Sequence, residues 1–299
     1  MADLTAILGA SAFLASSAGL VYGLTLTGIV GEAMRPERKT VGWALGRGLP
    51  IEPDCWGLPA REWSHGFRGA TSPVWELGSE DPAAHTFVVV HGFARSRYDS
   101  LARLGPMLPS APRFILPDLP GHGDSVGRGT RLGTDEDRFL ATLIEASTTG
   151  PVTLVGHSLG AVAAIGAASD AAIAARVRGV LALAPYERLR TPISARLDLR
   201  AMPKAPFVVP AIALLSARGI VERSTRELAA RLSCPLAVLA GANDPVSPLE
   251  EARGVASAAK RSRLAVLEHG RHDDFHTLGR DEMTAALAWL ASAASEGTA

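Results

Sequence analysis

The sequence predicts an α/β fold, a mostly parallel central sheet with helices on both faces. Three observations carry this. From residue 86 onward, short strand-length runs alternate with longer stretches of helical pattern, the order that a parallel sheet with crossover helices requires. Several of the strand-length runs are apolar throughout rather than alternating, as strands buried on both faces are. The composition is 47% hydrophobic but only 5% aromatic, rich in Ala, Val, Leu and Gly, which suits close packing of helices on a sheet. At 299 residues the chain is long enough for one large domain.

The first element is apolar. From Leu4 to Gly31 no residue is charged, a run longer than the ~20 residues a helix needs to cross the hydrocarbon core. Only Asp3 precedes it, and Glu32, Arg35, Arg38 and Lys39 follow. A cleaved signal peptide starts with a positive region and has a shorter apolar core. The expectation is therefore an uncleaved single-pass anchor over residues 1–34, with a signal peptide, or an apolar helix packed on the domain, as the alternatives. The basic residues after the span put the remainder of the chain on the cytoplasmic side. Residues 35–69, punctuated by Pro36, Gly46, Gly48, Pro50, Pro53, Gly57 and Pro59, read as a connector. Residues 70–299 read as the main domain.

Within that domain Val74–Leu77 alternates like a short half-exposed strand. Thr86–Val90, Arg113–Leu116, Val152–Val155, Val180–Leu183, Leu236–Leu239 and Leu264–Leu267 read as core strands. Helices are expected at Ser100–Leu108, from Thr134 through Ile144, at Leu159–Ala174, at Leu249–Ala259 and at Asp281–Ala294. The helix near Thr134 has an N-cap, an acidic first turn and an apolar face at Phe139, Leu140, Leu143 and Ile144. Chemistry in such sheets collects at the carboxyl ends of the strands.

Immediately after the run 152–155 stands Gly156-His157-Ser158-Leu159-Gly160, followed at once by a helix. This is G-x-S-x-G in the strand–turn–helix setting that gives the motif meaning: the serine sits on a sharp turn, and side chains two residues away on either side would collide. The helix aims its N-terminal amides at the place where negative charge would develop. Run 86–90 ends in His91-Gly92-Phe93, so the N–H groups of Phe93 and Leu159 are the expected oxyanion hole. His91 precedes Ser158, out of order for the base of this motif class, and is read as supporting its loop. The expected acid is Asp244, a few residues beyond run 236–239, where its carboxylate can fix an imidazole tautomer. Its plain alternative is a turn bond to its own backbone. The expected base is His272, in the loop after run 264–267, with His269 and His276 as competitors. The tract from His272 to His276 also invites a metal, but one tract without further converging carboxylates supports none. No cofactor is expected. Cys55 and Cys234 match no zinc spacing and read as free thiols.

With Ser158, Asp244 and His272 in that order, the chain resembles the α/β-hydrolase superfamily over about residues 70–295. The apolar N-terminal span is similar to that of the membrane-anchored, BEM46-like members. The resemblance implies an α/β-hydrolase fold and a serine esterase or lipase-like enzyme acting on a small acyl substrate through an acyl-enzyme. An acyltransferase or thioesterase would use the same triad, and a non-catalytic binding protein would keep the fold while losing a triad member. It also implies a short helical cap inserted at about 186–232, where the apolar stretch Ala205–Ala217 lines an acyl pocket or dips into a membrane surface. Pro120-Gly-His-Gly-Asp-Ser125 resembles the Gly-rich loop many members carry, with Asp118 and Asp124 making local turn bonds. Where members often have Gly-Gly-His, this chain has Gly270-Arg271-His272, so Arg271 is positioned to narrow the site or meet an acyl carboxylate. Equal numbers of cationic and anionic residues, 30 of each, leave no basic excess for nucleic acid.

Overall fold

A computed structural model describes residues 4–296, with side chains from 13 to 295; residues 1–3 of the expected anchor and 297–299 of the expected domain lie outside the described residues. In chain order the elements are α1 (Leu4–Met34), α2 (Val41–Leu45), β1 (Ala60–Phe67), β2 (Ala70–Gly78), β3 (Thr86–Val90), α3 (Arg97–Ala102), β4 (Arg113–Pro117), β5 (Val126–Gly127) and α4 (Glu136–Ser147). They continue as β6 (Val152–His157), α5 (Leu159–Ala168), β7 (Val177–Leu183), α6 (Arg190–Leu199), α7 (Val208–Ala217), α8 (Thr225–Ala230), β8 (Leu236–Gly241), α9 (Leu249–Ala258), β9 (Ser262–Leu267) and α10 (Arg280–Glu296). The strand order is β1-β2-β4-β3-β6-β7-β8-β9, with β5 paired to β2. β2 runs antiparallel to β1 and β4, and β4 through β9 along the rest of that path are parallel.

The apolar strands are buried on both faces, as their sequences require, and successive residues serve different layers. Val88 and Val90 of β3 pack with Leu154, Val180 and Val238 under α4, α5, α8 and α9. Phe87 and Val89 pack with Phe114, Leu181 and Leu239 under α3 and α10. α5 is buried along its whole length; its Ala and Gly residues allow it to lie against β6 and β7.

Two helices end well short of their expected extents. The helix expected at Ser100–Leu108 starts earlier and stops at Ala102; Gly105–Ser110 forms a 3₁₀ turn instead. Ser96 N–H donates to Asp99 Oδ2 at 3.3 Å at the start, and Pro106 bars continuation by lacking an N–H. The helix after Ser158 ends at Ala168 rather than Ala174, where Ser169 Oγ bonds Gly166 O at 2.8 Å and Asp170 caps Ala172 N at 3.0 Å. Such local side-chain bonds compete with the helical ladder. The stretch read as connector contains β1, an edge strand paired along its length with β2.

Helices α6, α7 and α8 lie between β7 and β8. Leu189, Ile193, Leu197, Phe207, Ala211 and Leu215 from this insert form a third apolar cluster, which Leu26 and Val30 of α1 complete. Tyr22 stacks on Phe207 at 5.2 Å and its hydroxyl donates to Pro206 O at 2.6 Å. Phe13, Leu14, Leu20, Val21 and Leu24 are exposed. Residues Phe13–Met34 are long and apolar enough to cross a membrane by length and composition.

The buried pair Arg113–Glu76 ties the sheet to α4. Arg113 donates to Glu76 Oε1 at 2.9 and 3.1 Å, to Thr86 Oγ1 at 3.2 Å and to Ser147 O at 2.8 Å. On the other side of Glu76 sits Arg61, 58% exposed in its side chain. Glu76→Gln leaves a guanidinium buried without its counter-charge, so it is expected to cost about 3–5 kcal/mol in chemical denaturation. Arg61→Ala is expected to cost less than about 1 kcal/mol. Equal costs would mean that the Arg113 charge is solvated.

Candidate active site

The site lies where the strand order reverses, between the carboxyl ends of β3 and β6. Ser158 occupies the single residue between β6 and α5, at φ 53° and ψ −114°, a region non-glycine residues rarely adopt. The flanking glycines are required by contact. A Cβ on Gly156 would stand 2.2 Å from Gly160 O, and one on Gly160 would stand 2.5 Å from His91 O. Gly92 brings the loop after β3 against the same turn: a Cβ there would meet Ser158 Cβ at 3.3 Å. Among the described residues neither the Phe93 nor the Leu159 backbone N–H donates to a protein acceptor. Both amides flank the elbow and are available to an oxyanion.

The loops after β8 and β9 are laced together. Ala242 N donates to Leu267 O at 2.9 Å and Asn243 N to Gly270 O at 3.1 Å. Gly241 permits this approach, since a Cβ on it would lie 2.4 Å from Gly270 O. Asp244 is thereby set beside His272: Nδ1–H of the ring donates to Asp244 Oδ2 at 2.7 Å. The other carboxylate oxygen accepts from Val246 N at 2.8 Å and Ser247 N at 2.9 Å. An imidazole that donates through Nδ1 keeps its Nε2 lone pair free to accept a proton. His272, Ser158 and Phe93 line one cavity of about 400 Å³. Among the described residues no hydrogen bond joins Ser158 Oγ to His272.

The cavity walls include Ile29, Glu32 and Ala33 of α1, Leu132 before α4, Leu189, Ile193 and Leu197 of the insert, and Val246 beyond Asp244. Arg271 is exposed and does not line the cavity; its backbone N–H donates to Asp274 Oδ2 at 2.9 Å. His269 is exposed, and His276 bonds Asp273 O at 3.1 Å. The members of the His-Asp-Asp-His tract thus face different partners.

Two features escape sequence reasoning. His157, the variable residue of the elbow motif, bonds the His272 carbonyl at 2.7 Å through Nε2, which must carry the proton because a carbonyl only accepts. It couples the Ser158 turn to the loop that carries His272. Asp273, next to His272, is held by Arg95 at 2.7 Å and by Arg103 at 3.8 Å. Burial would raise its pKa, but the Arg95 and Arg103 guanidinium groups hold the carboxyl below its ordinary value. Asp118 makes both kinds of bond: locally it accepts from Asp124 N at 2.8 Å, where Gly123 makes room for its carboxylate, and across the fold it accepts from Arg97 N at 2.7 Å. His91 donates through Nδ1 to Gly92 O at 2.8 Å and accepts at Nε2 from Leu119 N at 2.9 Å, so both ring nitrogens are committed to the loop.

The alpha/beta hydrolase family model matches residues 87–294. The chain belongs to that family. No curated protein matches it by sequence. Among solved structures it is similar to an esterase of Pyrococcus furiosus, at 15% identity and a TM-score of 0.65, covering 81% of this chain and 94% of that one. It is similar to the thioesterase domain of the curacin biosynthetic pathway, at 16% identity and a TM-score of 0.53, covering 77% and 99%. A bacterial membrane phospholipase A matches at 19% identity and a TM-score of 0.61, covering 97% of this chain and 100% of that one. A match that extensive takes in most of α1.

Three buried histidines make the fold acid-sensitive. Burial pushes His91 and His157 well below their usual value and His122 down to about 4. Each folded value lies under the unfolded one of about 6.5, so the stabilisation is complete above pH 6.5 and is lost as pH falls toward 4. Burial acts oppositely on two acids, lifting Asp118 to about 6 and raising Asp99. The histidines outnumber them. Urea melts are expected to show stability falling by on the order of 1–2 kcal/mol per pH unit between pH 6 and 5; a flat profile would mean that these rings are solvated.

Proposed function

We propose that this protein is a serine hydrolase that cleaves a carboxylic ester or related acyl bond, with Ser158 as nucleophile, His272 as general base and acid, and Asp244 as its orienting carboxylate. The observation that carries this reading is the 2.7 Å Asp244–His272 hydrogen bond behind a cavity that Ser158 also lines. His272 Nε2 takes the Ser158 proton as the hydroxyl attacks the acyl carbonyl. A hydroxyl–imidazole hydrogen bond of this kind commonly tightens only with substrate in place. The Phe93 and Leu159 amides hold the oxyanion. Collapse of the tetrahedral intermediate breaks the bond to the leaving group, which takes its proton from His272 and leaves an acyl-Ser158. Water, deprotonated by the same ring, adds to that ester, and the second collapse frees the acid and restores the Ser158 hydroxyl. Asp244 stabilises the transient imidazolium.

The acceptor need not be water. The likeness to a thioesterase domain keeps thioester cleavage and acyl transfer within reach of the same residues. A purely binding role is disfavoured because nucleophile, base and acid are all retained.

We also propose that α1 is an uncleaved membrane anchor, with the basic residues after it holding the hydrolase domain on the cytoplasmic side. Its C-terminal half completes the apolar cluster of the insert and supplies Ile29, Glu32 and Ala33 to the cavity wall. Removing it as a signal peptide would strip Leu189, Ile193 and Phe207 of apolar cover. The extensive match to a membrane phospholipase A supports the same arrangement.

The full chain in detergent micelles is expected to hydrolyse p-nitrophenyl esters. Ser158→Ala is expected to lower kcat by about 10⁵–10⁶ and Asp244→Asn by about 10⁴, as the same change does in serine proteases. A fluorophosphonate probe is expected to label the peptide containing Ser158. An adduct on another residue, or an unimpaired Ser158→Ala enzyme, overturns the assignment.

A further inference from the structure

The charges lining the cavity do not cancel. Lys39, Arg95, Arg196 and Arg200 face it, against Glu32, Glu37 and Asp273. Three of the four cations are closed off by the three anions. Lys39 bonds Glu37 at 2.5 Å, Arg95 bonds Asp273 at 2.7 Å and Arg200 bonds Glu32 through both guanidinium nitrogens at 2.5 Å. Arg196 is the remainder. Among the described residues it has no carboxylate within 4 Å and no hydrogen bond; its contact is the ring of Phe93, 4.0 Å beneath the guanidinium.

Arg196 lies on the insert helix α6 and is partly buried. A guanidinium withdrawn from water needs compensation, and one aromatic face supplies only part of it. Stacking occupies a face of the plane and leaves the N–H edges, whose fork matches the paired oxygens of a carboxylate or phosphate. The residue beneath it is the one whose amide we assign to the oxyanion hole. The rest of the lining from α1 and the insert, including Ile29, Leu189, Ile193 and Leu197, is apolar and suited to an acyl chain.

We propose that Arg196 is an anion-recognition residue, and that the preferred substrates are amphiphilic acyl esters carrying a phosphate or carboxylate close to the scissile bond. This deepens the serine-hydrolase reading and rests on it. The charged group belongs either to the acyl portion or to the alcohol portion, as in a lipid headgroup, and the two sources are separable.

The test uses the full chain in neutral detergent and two matched pairs. Mono-p-nitrophenyl glutarate is compared with p-nitrophenyl pentanoate, which differ in a terminal carboxylate on the acyl side. Oleoyl-lysophosphatidic acid is compared with mono-oleoylglycerol, which differ in a phosphate on the alcohol side. The anionic member of at least one pair is expected to have a kcat/KM at least tenfold higher. The pair that responds tells which portion carries the charge. Arg196→Gln is expected to cut that anionic-to-neutral ratio at least tenfold, whereas Arg196→Lys, which keeps the charge, retains a measurable preference. Raising NaCl to 0.5 M should erode the ratio in the parent enzyme and not in Arg196→Gln. No preference in either pair, or a ratio that Arg196→Gln leaves unchanged, overturns the proposal. Should Arg196→Gln fail to fold, the parent's ratio and its salt dependence decide alone. A parent enzyme whose neutral-ester activity disappears in Ser158→Ala keeps the serine-hydrolase reading even when Arg196 proves irrelevant.

Discussion

At Ser158 the chain turns from a buried strand into a buried helix within a single residue, and much of the site's geometry answers to that constraint. The turn needs a positive φ at a residue with a side chain, which is intrinsically unfavourable. It persists because β6 and α5 are both wholly buried and cannot relax. The same crowding dictates glycine at Gly156, Gly160 and Gly92, where another residue's Cβ would meet backbone or side-chain atoms. His91, fixed between Gly92 O and Leu119 N, holds the neighbouring loop in place as a neutral ring. His157 carries the order one step further, to the carbonyl of His272. The strained turn at Ser158, the unbonded amides of Phe93 and Leu159 and the tie to the loop of His272 are therefore outcomes of one packing problem.

The second organising principle is that α1 is not an appendage. The insert between β7 and β8 exposes apolar positions that its own helices do not cover, and Leu26 and Val30 cover them. The cavity is consequently a composite: loops at the carboxyl ends of the strands, the insert and the N-terminal helix all contribute to its lining. Apolar side chains beside paired charges, with one guanidinium that no carboxylate touches, describe a compartment for an amphiphile better than one for a polar metabolite.

What the sequence disclosed was local. Strands such as Thr86–Val90 announced themselves because burial on both faces leaves no polar position, and the elbow because its glycines sit at fixed offsets from Ser158. Asp244 and His272 were legible as candidates by order along the chain, since each follows a core strand by a few residues. Extents were less legible: Pro106 and the side chains of Ser169 and Asp170 ended helices that apolar content alone would have prolonged. The unread parts were those made by distant residues meeting. β1 is recognisable only through its pairing with β2. Asp118 looked like a turn residue until Arg97 was beside it. Arg271 drew attention by adjacency to His272, yet it stays outside the cavity, while Arg196, far away in sequence, borders it. No local pattern distinguishes those two side chains.

The contacts of α1 with the insert have a mechanical consequence. Tyr22 is clamped at Phe207 and Pro206, and Glu32 at Arg200. Ten residues of helix separate the clamps, about 15 Å along a stiff rod. Held at two points and packed along Leu26 and Val30 between them, the rod resists swivelling and rolling against the body it holds. Whatever surface receives its exposed end, the mouth of the cavity meets that surface at one height and one tilt, in the manner of a bracket rather than a leash.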